Sequence, residues 1–499
     1  MSAEGKHPDP SVRTDVSDVP AAGSGAPFAD PGTAPGTASD AAPWARPTSG
    51  MDGGGAAAHA AAGGSADAAD VGPRGPDRRS FLRVTGAGAG LAATGGLGGL
   101  LAGCESPDPR SGVRRGAGPD VVVVGAGAFG VWTALNLQEM GARVTLVDLY
   151  GPGNVRSTSG DETRGVRTSY PGREQWTSWA QRAILRWRQF DEEHAGEMGP
   201  PVFYNTGDLI CRDTEEGFIT EVKEIWDTVG IAYDVISPEE AAYRWPGMNL
   251  TGITHCLYEP AAGVVRARAT CQRVAALFQL RGGEIRLGRA ELGNRSGGRL
   301  LDVQVNGERL PADRFVFALG PWFATTFQDV MADKIRIPMG NVVYYGPPAG
   351  DLRFQYPNMP SWNFSGVTGW PCLPPDNRGF RVRTGGRAGA DPDTSDRWVP
   401  PEQLDRPRQV VVERFPDLAD APVVQTHSCH YESSATRDWI IDRYPGLENV
   451  WLAGGGSAEG FKFGPVVGEL IASRALETNQ FPELAENFRL DGLPDVEER

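Results

Sequence analysis

One cysteine near the end of the chain stands where a thiol could do chemistry. Cys429 lies in the stretch SCHYESSATRDWIID, from Ser428 to Asp442, among polar residues and just ahead of an apolar run that predicts a strand. No CxxC pair or nearby Cys/His ligand set accompanies it, and such a cysteine is more often packed than reactive. Taken alone, the residue leaves packing as the default and a chemical role as the alternative.

Lys462 is a second candidate, because lysine is rare in this chain. Only Lys6, Lys223, Lys334 and Lys462 occur, among 48 basic residues. A chain so rich in arginine is expected to carry a lysine where a compact ammonium is needed rather than mere positive charge. We therefore predict a binding role for Lys462, with an ordinary surface lysine as the alternative.

A glycine-rich turn supplies a third candidate site. The stretch PDVVVVGAGAFGVWTALNLQEMGARVTLVDL, residues 119–149, predicts strand, turn, helix and strand. Gly125, Gly127 and Gly130 form a G-x-G-x-x-G turn, which brings backbone N–H groups and a helix N-terminus to a pyrophosphate. Asp148 ends the second strand, where its carboxylate suits ribose hydroxyls. The unit predicts dinucleotide binding without separating FAD from NAD.

The composition limits the remaining functions. A chain of 499 residues can bury a substantial site, in one large two-lobed domain or two to three ordinary ones. Its net charge of −15 argues against a nucleic acid or anionic membrane bound through bulk charge, because both require a basic face. We therefore predict no nucleic-acid partner. The other folded-region cysteines show no metal-ligand spacing, so we also predict no metal site.

The first part of the chain predicts export. Residues 1–73 are rich in Ala, Gly, Pro, Ser and Asp and are predicted to be disordered. Residues 74–104 contain Arg78 and Arg79 before a glycine-rich apolar run, a pattern typical of a twin-arginine signal. The run ends in LAGC, which resembles a lipobox and would place a lipid on Cys104. The alternative is a chance arginine pair before a flexible linker.

Export by this route has a consequence for the cofactor and the location. The twin-arginine route carries proteins that are already folded, so a tightly bound cofactor is expected. We expect a lipoprotein at the outer face of the cytoplasmic membrane. Translation could start at Met1 or at Met51, and either start leaves the fold unchanged.

Several segments carry a resemblance to a known family. RSTSGDETRGVRTSY, from Arg156 to Tyr170, holds a Gly-Asp and Thr-Arg core, with one residue inserted at Glu162 and a second arginine three residues later. WLAGGGSAEGFKFGPVVGELIA occupies residues 451–472, and the Cys429 stretch matches without a gap. Over most of the chain after Asp120, the sequence resembles the monomeric sarcosine oxidase and N-methyltryptophan oxidase family of FAD-dependent amine oxidoreductases.

The resemblance implies FAD as the cofactor, attached covalently through a thioether at Cys429. It also implies a helix that starts at Gly464 and Pro465, whose dipole stabilises negative charge on reduced flavin. The cofactor-binding residues that follow from the glycine motif and the resemblance together are Gly125, Gly127, Gly130, Asp148, Cys429, Gly460, Phe461 and Lys462.

Four cations receive roles from the same resemblance. Arg167 and Lys462 are expected to hold the substrate carboxylate, and Arg164 matches the first arginine of the motif. Arg381 stands where the family has a lysine that helps oxygen accept the first electron. Because a guanidinium spreads its charge, oxygen activation could be weaker here, or the replacement could be neutral; both interpretations stay open.

The implied reaction is oxidation of the carbon–nitrogen bond of an amino acid or secondary amine to an imine, with oxygen reduced to hydrogen peroxide. A dehydrogenase that uses another electron acceptor and a fructosyl-amino-acid oxidase are the enzymatic alternatives. A catalytically silent binding lipoprotein that keeps the fold is the alternative from another class. The resemblance implies a monomer.

The elements that must position these residues predict an α/β fold, with a Rossmann-like FAD-binding domain and a substrate domain built on a mainly antiparallel sheet. A linker is predicted at 105–117. The FAD-binding domain is predicted to be discontinuous and the substrate domain to fill its gaps, with FAD-binding segments at 118–200, 262–328 and 423–485 and substrate-domain segments at 201–261 and 329–422.

Overall fold

The computed structural model describes residues 117–389 and 391–496. The low-complexity segment, the export signal and Cys104 lie outside the described residues. The α-helices of the described part are α1 (Ala128–Glu139), α2 (Glu174–His194), α3 (Phe218–Val229), α4 (Pro238–Arg244), α5 (Ala267–Leu280), α6 (Phe323–Thr326), α7 (Gln328–Met331), α8 (Asp405–Arg414) and α9 (Gly464–Leu476).

A six-stranded sheet surrounds the glycine motif. All neighbouring strands are parallel except the first pair, which is antiparallel. In spatial order the strands are Ile440–Arg443, Val450–Gly454, Arg314–Phe317, Asp120–Val124, Arg143–Asp148 and Glu284–Leu287.

The strand Asp120–Val124 is buried on both faces, as a central parallel strand must be. Val121 and Val123 pack in a core with the apolar residues of α1 and α9. Val122 and Val124 face the opposite side, where a second core contains residues of a small antiparallel sheet. The run of four valines therefore joins two layers, and this explains why it is continuous rather than alternating.

The second large sheet has eight strands and is mainly antiparallel, since only Asp208–Arg212 and Ser361–Phe364 run parallel. In spatial order its strands are Val423–His430, Met339–Tyr345, Phe380–Arg387, Val367–Trp370, Ser361–Phe364, Asp208–Arg212, His255–Glu259 and Asp234–Ile236. The predicted α/β fold with a mainly antiparallel second sheet is confirmed. The edge strand Val423–His430 starts the segment 423–485 that was predicted for the FAD-binding domain, although it pairs in this sheet; the domain division stays a prediction.

Four small sheets complete the described part. Two have three strands and two have two strands. The sheet that contains Thr163–Val166 contributes to the site. The four sheets comprise Thr163–Val166, Gly263–Arg266 and Phe203–Tyr204; Ala290–Leu292, Asp302–Val305 and Glu308–Pro311; Arg295–Ser296 and Arg299–Leu300; and Ile335–Arg336 and Ser433–Ser434. Among the described residues, no helix combines the length and hydropathy needed to cross a membrane.

Candidate active site

The glycine turn after the first strand is too tight for larger residues. Gly125 has a φ of +104°, and a Cβ there would lie 2.2 Å from the carbonyl oxygen of Ala318. A Cβ on Gly130 would lie 1.7 Å from the carbonyl oxygen of Gly125. At Gly127 the nearest atom to such a Cβ is the Ser159 hydroxyl, at 3.3 Å. Gly125 and Gly130 therefore close the turn, and at Gly127 the Ser159 side chain would have to move to admit a Cβ.

Asp148 fastens this turn to the end of the second strand. Its Oδ2 accepts a hydrogen bond of 2.7 Å from the N–H of Ala126, and its Oδ1 accepts from the N–H groups of Tyr150 and Gly151 at 2.8 and 2.7 Å. Burial raises the pKa of Asp148, and the three N–H groups oppose that shift. Oδ2 keeps a lone-pair site for a further donor, so the carboxylate can also receive a ribose hydroxyl.

A cavity of about 170 Å³ runs along the turn. Its lining includes Gly125, Gly127 and Asp148 at one part, and Gly460 and Phe461 at another. These two groups are far apart in the sequence but border one space. Gly130, which packs inside the turn, does not line it.

A second cavity of about 80 Å³ shares Thr158, Arg164 and Phe461 with the first. It brings the five remaining sequence-predicted site residues together in one lining, together with four polar residues that the sequence analysis did not single out. The predicted residues are Arg164, Arg167, Arg381, Cys429 and Lys462, and the others are Thr368, Arg383, Tyr431 and Glu459.

Asp161 organises the charges at one wall of this second cavity. Its Oδ2 accepts hydrogen bonds from Arg164 Nη1 at 2.7 Å and from Arg381 Nη2 at 3.0 Å, and its Oδ1 accepts from the Tyr344 hydroxyl at 3.0 Å. Burial alone would raise the pKa of Asp161, but the two guanidiniums outweigh it and hold that pKa far below its usual range. The carboxylate therefore stays ionised and fixes both arginines.

Arg381 is held in this buried ion pair, with 2% of its side chain exposed. Its guanidinium also lies over the Trp370 ring, 4.0 Å from the ring centre, an arrangement that favours a cation. Its Nε and Nη1 have no hydrogen-bond partner within the described part of the chain. Asp161 therefore compensates much of the charge that Arg381 presents to the cavity.

The Cys429 thiol reaches the same wall. Its Sγ lies 3.4 Å from Arg164 Nη2, which can donate to it, and 3.5 Å from the carbonyl oxygen of Thr158. Burial raises the pKa of the Cys429 thiol, and the Arg164 guanidinium partly opposes this. A cation beside a buried thiol favours its thiolate form, which is the nucleophilic form of cysteine.

Lys462 also lines this cavity, on the turn that precedes α9, and 4% of it is exposed. Its ammonium forms an ion pair with Glu459 and a hydrogen bond with the Tyr170 hydroxyl. Burial lowers the pKa of Lys462, and Glu459 opposes that shift. The pKa of Glu459 falls to about 2, because Lys462 and Arg167 outweigh the effect of its burial. The lysine is therefore already neutralised in part by a carboxylate of the protein.

Arg167 and Arg383 differ from the other cations of the second cavity. Neither guanidinium forms a hydrogen bond or ion pair with a described residue, and both are half-buried. Sequence reasoning missed Arg383 and Glu459. The signal for Arg383 was its place two residues after Arg381 in a strand, which puts both side chains on one face. The signal for Glu459 was its place three residues before a rare lysine.

Within residues 117–389 and 391–496, no group of three or more His, Cys, Asp or Glu side chains is arranged to hold a metal ion.

A dinucleotide cavity beside a cationic pocket, on this pair of sheets, defines a flavoprotein oxidoreductase. The chain belongs to the FAD-dependent oxidoreductase family, which matches residues 120–474. The predicted FAD-dependent enzyme is therefore confirmed, and its curated relatives are amine-oxidising enzymes, in accord with the predicted reaction.

Two curated relatives illustrate this similarity. Monomeric sarcosine oxidase from a Bacillus species is 26% identical over 373 residues, which cover 72% of this chain and 92% of the relative. N-methyl-L-tryptophan oxidase from Salmonella arizonae is 22% identical over 375 residues, covering 72% of this chain and 95% of the relative.

Solved structures share the fold at lower identity. A thermally stable mutant of fructosyl peptide oxidase matches with a TM-score of 0.66 and 19% identity, covering 76% of this chain and 95% of its own. L-proline dehydrogenase from P. horikoshii matches with a TM-score of 0.63 and 20% identity, covering 72% and 93%.

The residues of the first cavity fit FAD. Gly127 lines this cavity at the N-terminus of α1, which suits a pyrophosphate, and Asp148 suits a ribose. At the other part of the cavity, a Cβ on Gly460 would meet the Phe129 ring at 3.0 Å, so glycine lets the backbone pack closely against that ring.

Proposed function

We propose that this protein oxidises the carbon–nitrogen bond of an amino acid or secondary amine to an imine and passes the electrons to oxygen. The observation that supports this most strongly is the meeting of Cys429, Arg167 and Lys462 in one cavity that adjoins the dinucleotide cavity. When bound, FAD supplies the acceptor for the hydride that leaves the carbon next to nitrogen. The chain must therefore bind, orient and desolvate the amine.

Arg167 is the group best placed to orient such a substrate. Its guanidinium borders the cavity without a hydrogen-bonded partner among the described residues, so it can form a two-pronged contact with a carboxylate. Lys462 would contribute less charge than its sequence position implied, because Glu459 already binds it. The Tyr170 hydroxyl contacts both Lys462 and Glu459 and so helps to fix this ion pair.

We further propose that FAD is attached through the Cys429 thiol. The thiol lines the second cavity, and Arg164 lies beside it to stabilise the thiolate needed for a thioether bond. The same arginine is held by Asp161, so its position is set before the cofactor arrives.

A dehydrogenase is the second candidate, and the Asp161–Arg381 ion pair favours it. Oxygen reduction benefits from an uncompensated positive charge near the flavin. Arg381 shares its charge with Asp161 and spreads the remainder over a planar group. This is the chemical reason to measure oxygen and an artificial electron acceptor side by side.

The experiment is a substrate panel on the purified flavoprotein. We would measure hydrogen peroxide with oxygen, and dye reduction without it, for sarcosine, other N-methyl amino acids, pipecolate, proline and fructosyl amino acids. Peroxide formation with an amino acid or secondary amine is expected. Dye reduction alone would identify a dehydrogenase, and preference for fructosyl amino acids would identify that alternative. A yellow protein that is inactive with every amine would favour a silent binding protein.

We also propose export by the twin-arginine route and lipid attachment at Cys104. Arg78, Arg79 and the LAGC sequence support this. Lipid labelling should be lost in Cys104→Ala, and export should be lost when Arg78 and Arg79 are both replaced by lysine. Unchanged labelling of the Cys104→Ala variant would remove the lipoprotein claim.

A further inference from the structure

The charges of the second cavity are compensated unequally. Asp161 binds Arg164 and Arg381, and Glu459 binds Lys462. These three cations therefore have carboxylates of the protein as direct partners.

The two remaining guanidiniums, those of Arg167 and Arg383, lack such direct pairs among the described residues. The carboxylates of Asp208 and Glu459 both act on Arg167, whereas the carboxylate that acts on Arg383 is Glu459, which is already bound to Lys462. Burial lowers the pKa of Arg383, and Tyr431 and Glu459 oppose this shift. A buried cation is costly unless an anion accompanies it. The cavity therefore has capacity for an anion beside Arg383 in addition to one beside Arg167.

The guanidiniums of Arg167 and Arg383 lie beside glycines of different strands. A Cβ on Gly165 would lie 3.6 Å from Arg167 Nη1, and a Cβ on Gly340 would lie 3.8 Å from Arg383 Nη2. Gly340 pairs with Cys429 in the eight-stranded sheet, whereas Gly165 belongs to a small three-stranded sheet. The glycines leave both side chains room, and the two guanidiniums lie beside strands of different sheets.

We propose that Arg383 binds a second anionic group of the substrate, so that the preferred substrate is an amino acid whose side chain carries a carboxylate. The inference rests on the proposed amine oxidation, in which Arg167 binds the first carboxylate. It adds the substrate class and a specificity-determining residue to that function.

The test compares two substrates of one shape, N-methylglutamate and N-methylglutamine, each as both enantiomers. They differ only in the side chain, which ends in a carboxylate in N-methylglutamate and in an amide in N-methylglutamine. We expect kcat/KM of the holoenzyme to be about 10- to 100-fold higher for the acid, the range of a charge-assisted hydrogen bond. Arg383→Met should remove this preference by slowing oxidation of the acid, and Arg383→Lys should keep part of it. The control is Arg387→Met in the same strand, because Arg387 pairs with Asp396 and does not line the cavity.

A binding measurement separates failure of this inference from failure of the proposed function. Glutarate and its half-amide are titrated into the oxidised holoenzyme while the flavin absorbance is followed. If the amide substrate is oxidised as fast as the acid, or Arg383→Met slows both equally, Arg383 has no role in specificity and amine oxidation stands. If no amine of the panel, these two included, is oxidised but wild type binds glutarate at least tenfold more tightly than the half-amide, amine oxidation fails and the second anion position stands. Equal binding of both ligands with no oxidation overturns both. If the Arg383→Met variant loses its flavin, the acid-against-amide comparison on wild type and on Arg383→Lys decides whether Arg383 binds the side-chain carboxylate.

Discussion

Three of the cations at this site are held by carboxylates of the protein. Asp161 joins two arginines and a tyrosine hydroxyl, and Lys462 is joined to Glu459 and to the Tyr170 hydroxyl. Such networks keep side chains in one orientation, because breaking a buried pair leaves an uncompensated charge. The cavity is therefore organised before any ligand enters.

Cys429 gives the first prediction at this scale. Cys429→Ala should abolish covalent attachment while some FAD still binds through the glycine turn and Asp148. After acid precipitation, we expect the flavin of wild type in the pellet and that of the variant in the supernatant. Cys372→Ala, which changes a buried cysteine outside both cavities, is the control. Flavin that still precipitates with the Cys429→Ala protein would refute the thioether.

Arg167 gives the second prediction. Replacing it by Met removes a guanidinium that has no direct ion pair with a described residue, so the folded protein should tolerate the change. We expect the Michaelis constant for carboxylated amines to rise about 10- to 100-fold, as loss of a charge-assisted hydrogen bond implies. Carboxylate-free amines of similar size should be affected much less. Equal effects on both groups of amines would show that the arginine acts on the structure instead.

At the scale of elements, the site lies where strands of separate sheets meet. The strand Thr163–Val166 presents Arg164 and leads into Arg167, and the strand His255–Glu259 of the eight-stranded sheet ends beside it. Glu259 accepts hydrogen bonds of 3.1 and 2.8 Å from the N–H and hydroxyl of Thr168. This contact links the two sheets beside Arg167.

The link predicts a pH dependence of stability. Burial raises the pKa of Glu259 to about 7, against about 4.3 in an unfolded chain. Between these values the folded protein binds the proton more tightly, so the free energy of unfolding falls as pH rises, by up to about 1.4 kcal/mol per pH unit. Glu259→Gln cannot titrate, so its stability should fall less between pH 5 and 7 (about the window between the two pKa values). Denaturant unfolding at several pH values measures this.

The matched control for that measurement is the exposed Glu224→Gln in α3, which should follow the wild-type pH profile. If the Glu259→Gln profile also runs parallel to wild type, the carboxylate does not titrate in this window and the buried link is differently compensated.

The sequence predicted the elements with local signals better than the contacts across them. The valine run, the glycine turn and Asp148 correspond to the observed strand, turn and second strand end. Lys462 was noticed through its rarity. The sequence could not show that Glu459 binds it, or that Arg381 is held by Asp161, because these pairings depend on how distant strands meet. Arg383 escaped for the same reason.

For the whole molecule, the net charge is opposite in sign to the charge of the side chains that line the second cavity. The chain carries a net charge of −15, yet the second cavity is lined by four arginines and a lysine with one carboxylate, Glu459. An anion bound in this cavity would therefore meet a local, enclosed positive charge, where salt screens charge much less than at an open surface. This agrees with the small acidic substrate proposed above.

The most direct test of the central claim is anaerobic mixing of the purified flavoprotein with the amine panel, including N-methylglutamate. We expect at least one amino acid or secondary amine to bleach the flavin completely, with one imine or its hydrolysis product formed for each flavin. Admission of oxygen should then restore the yellow colour and release one hydrogen peroxide per flavin. A flavin that stays oxidised with every amine, in a protein that is fully loaded with FAD, would contradict the account.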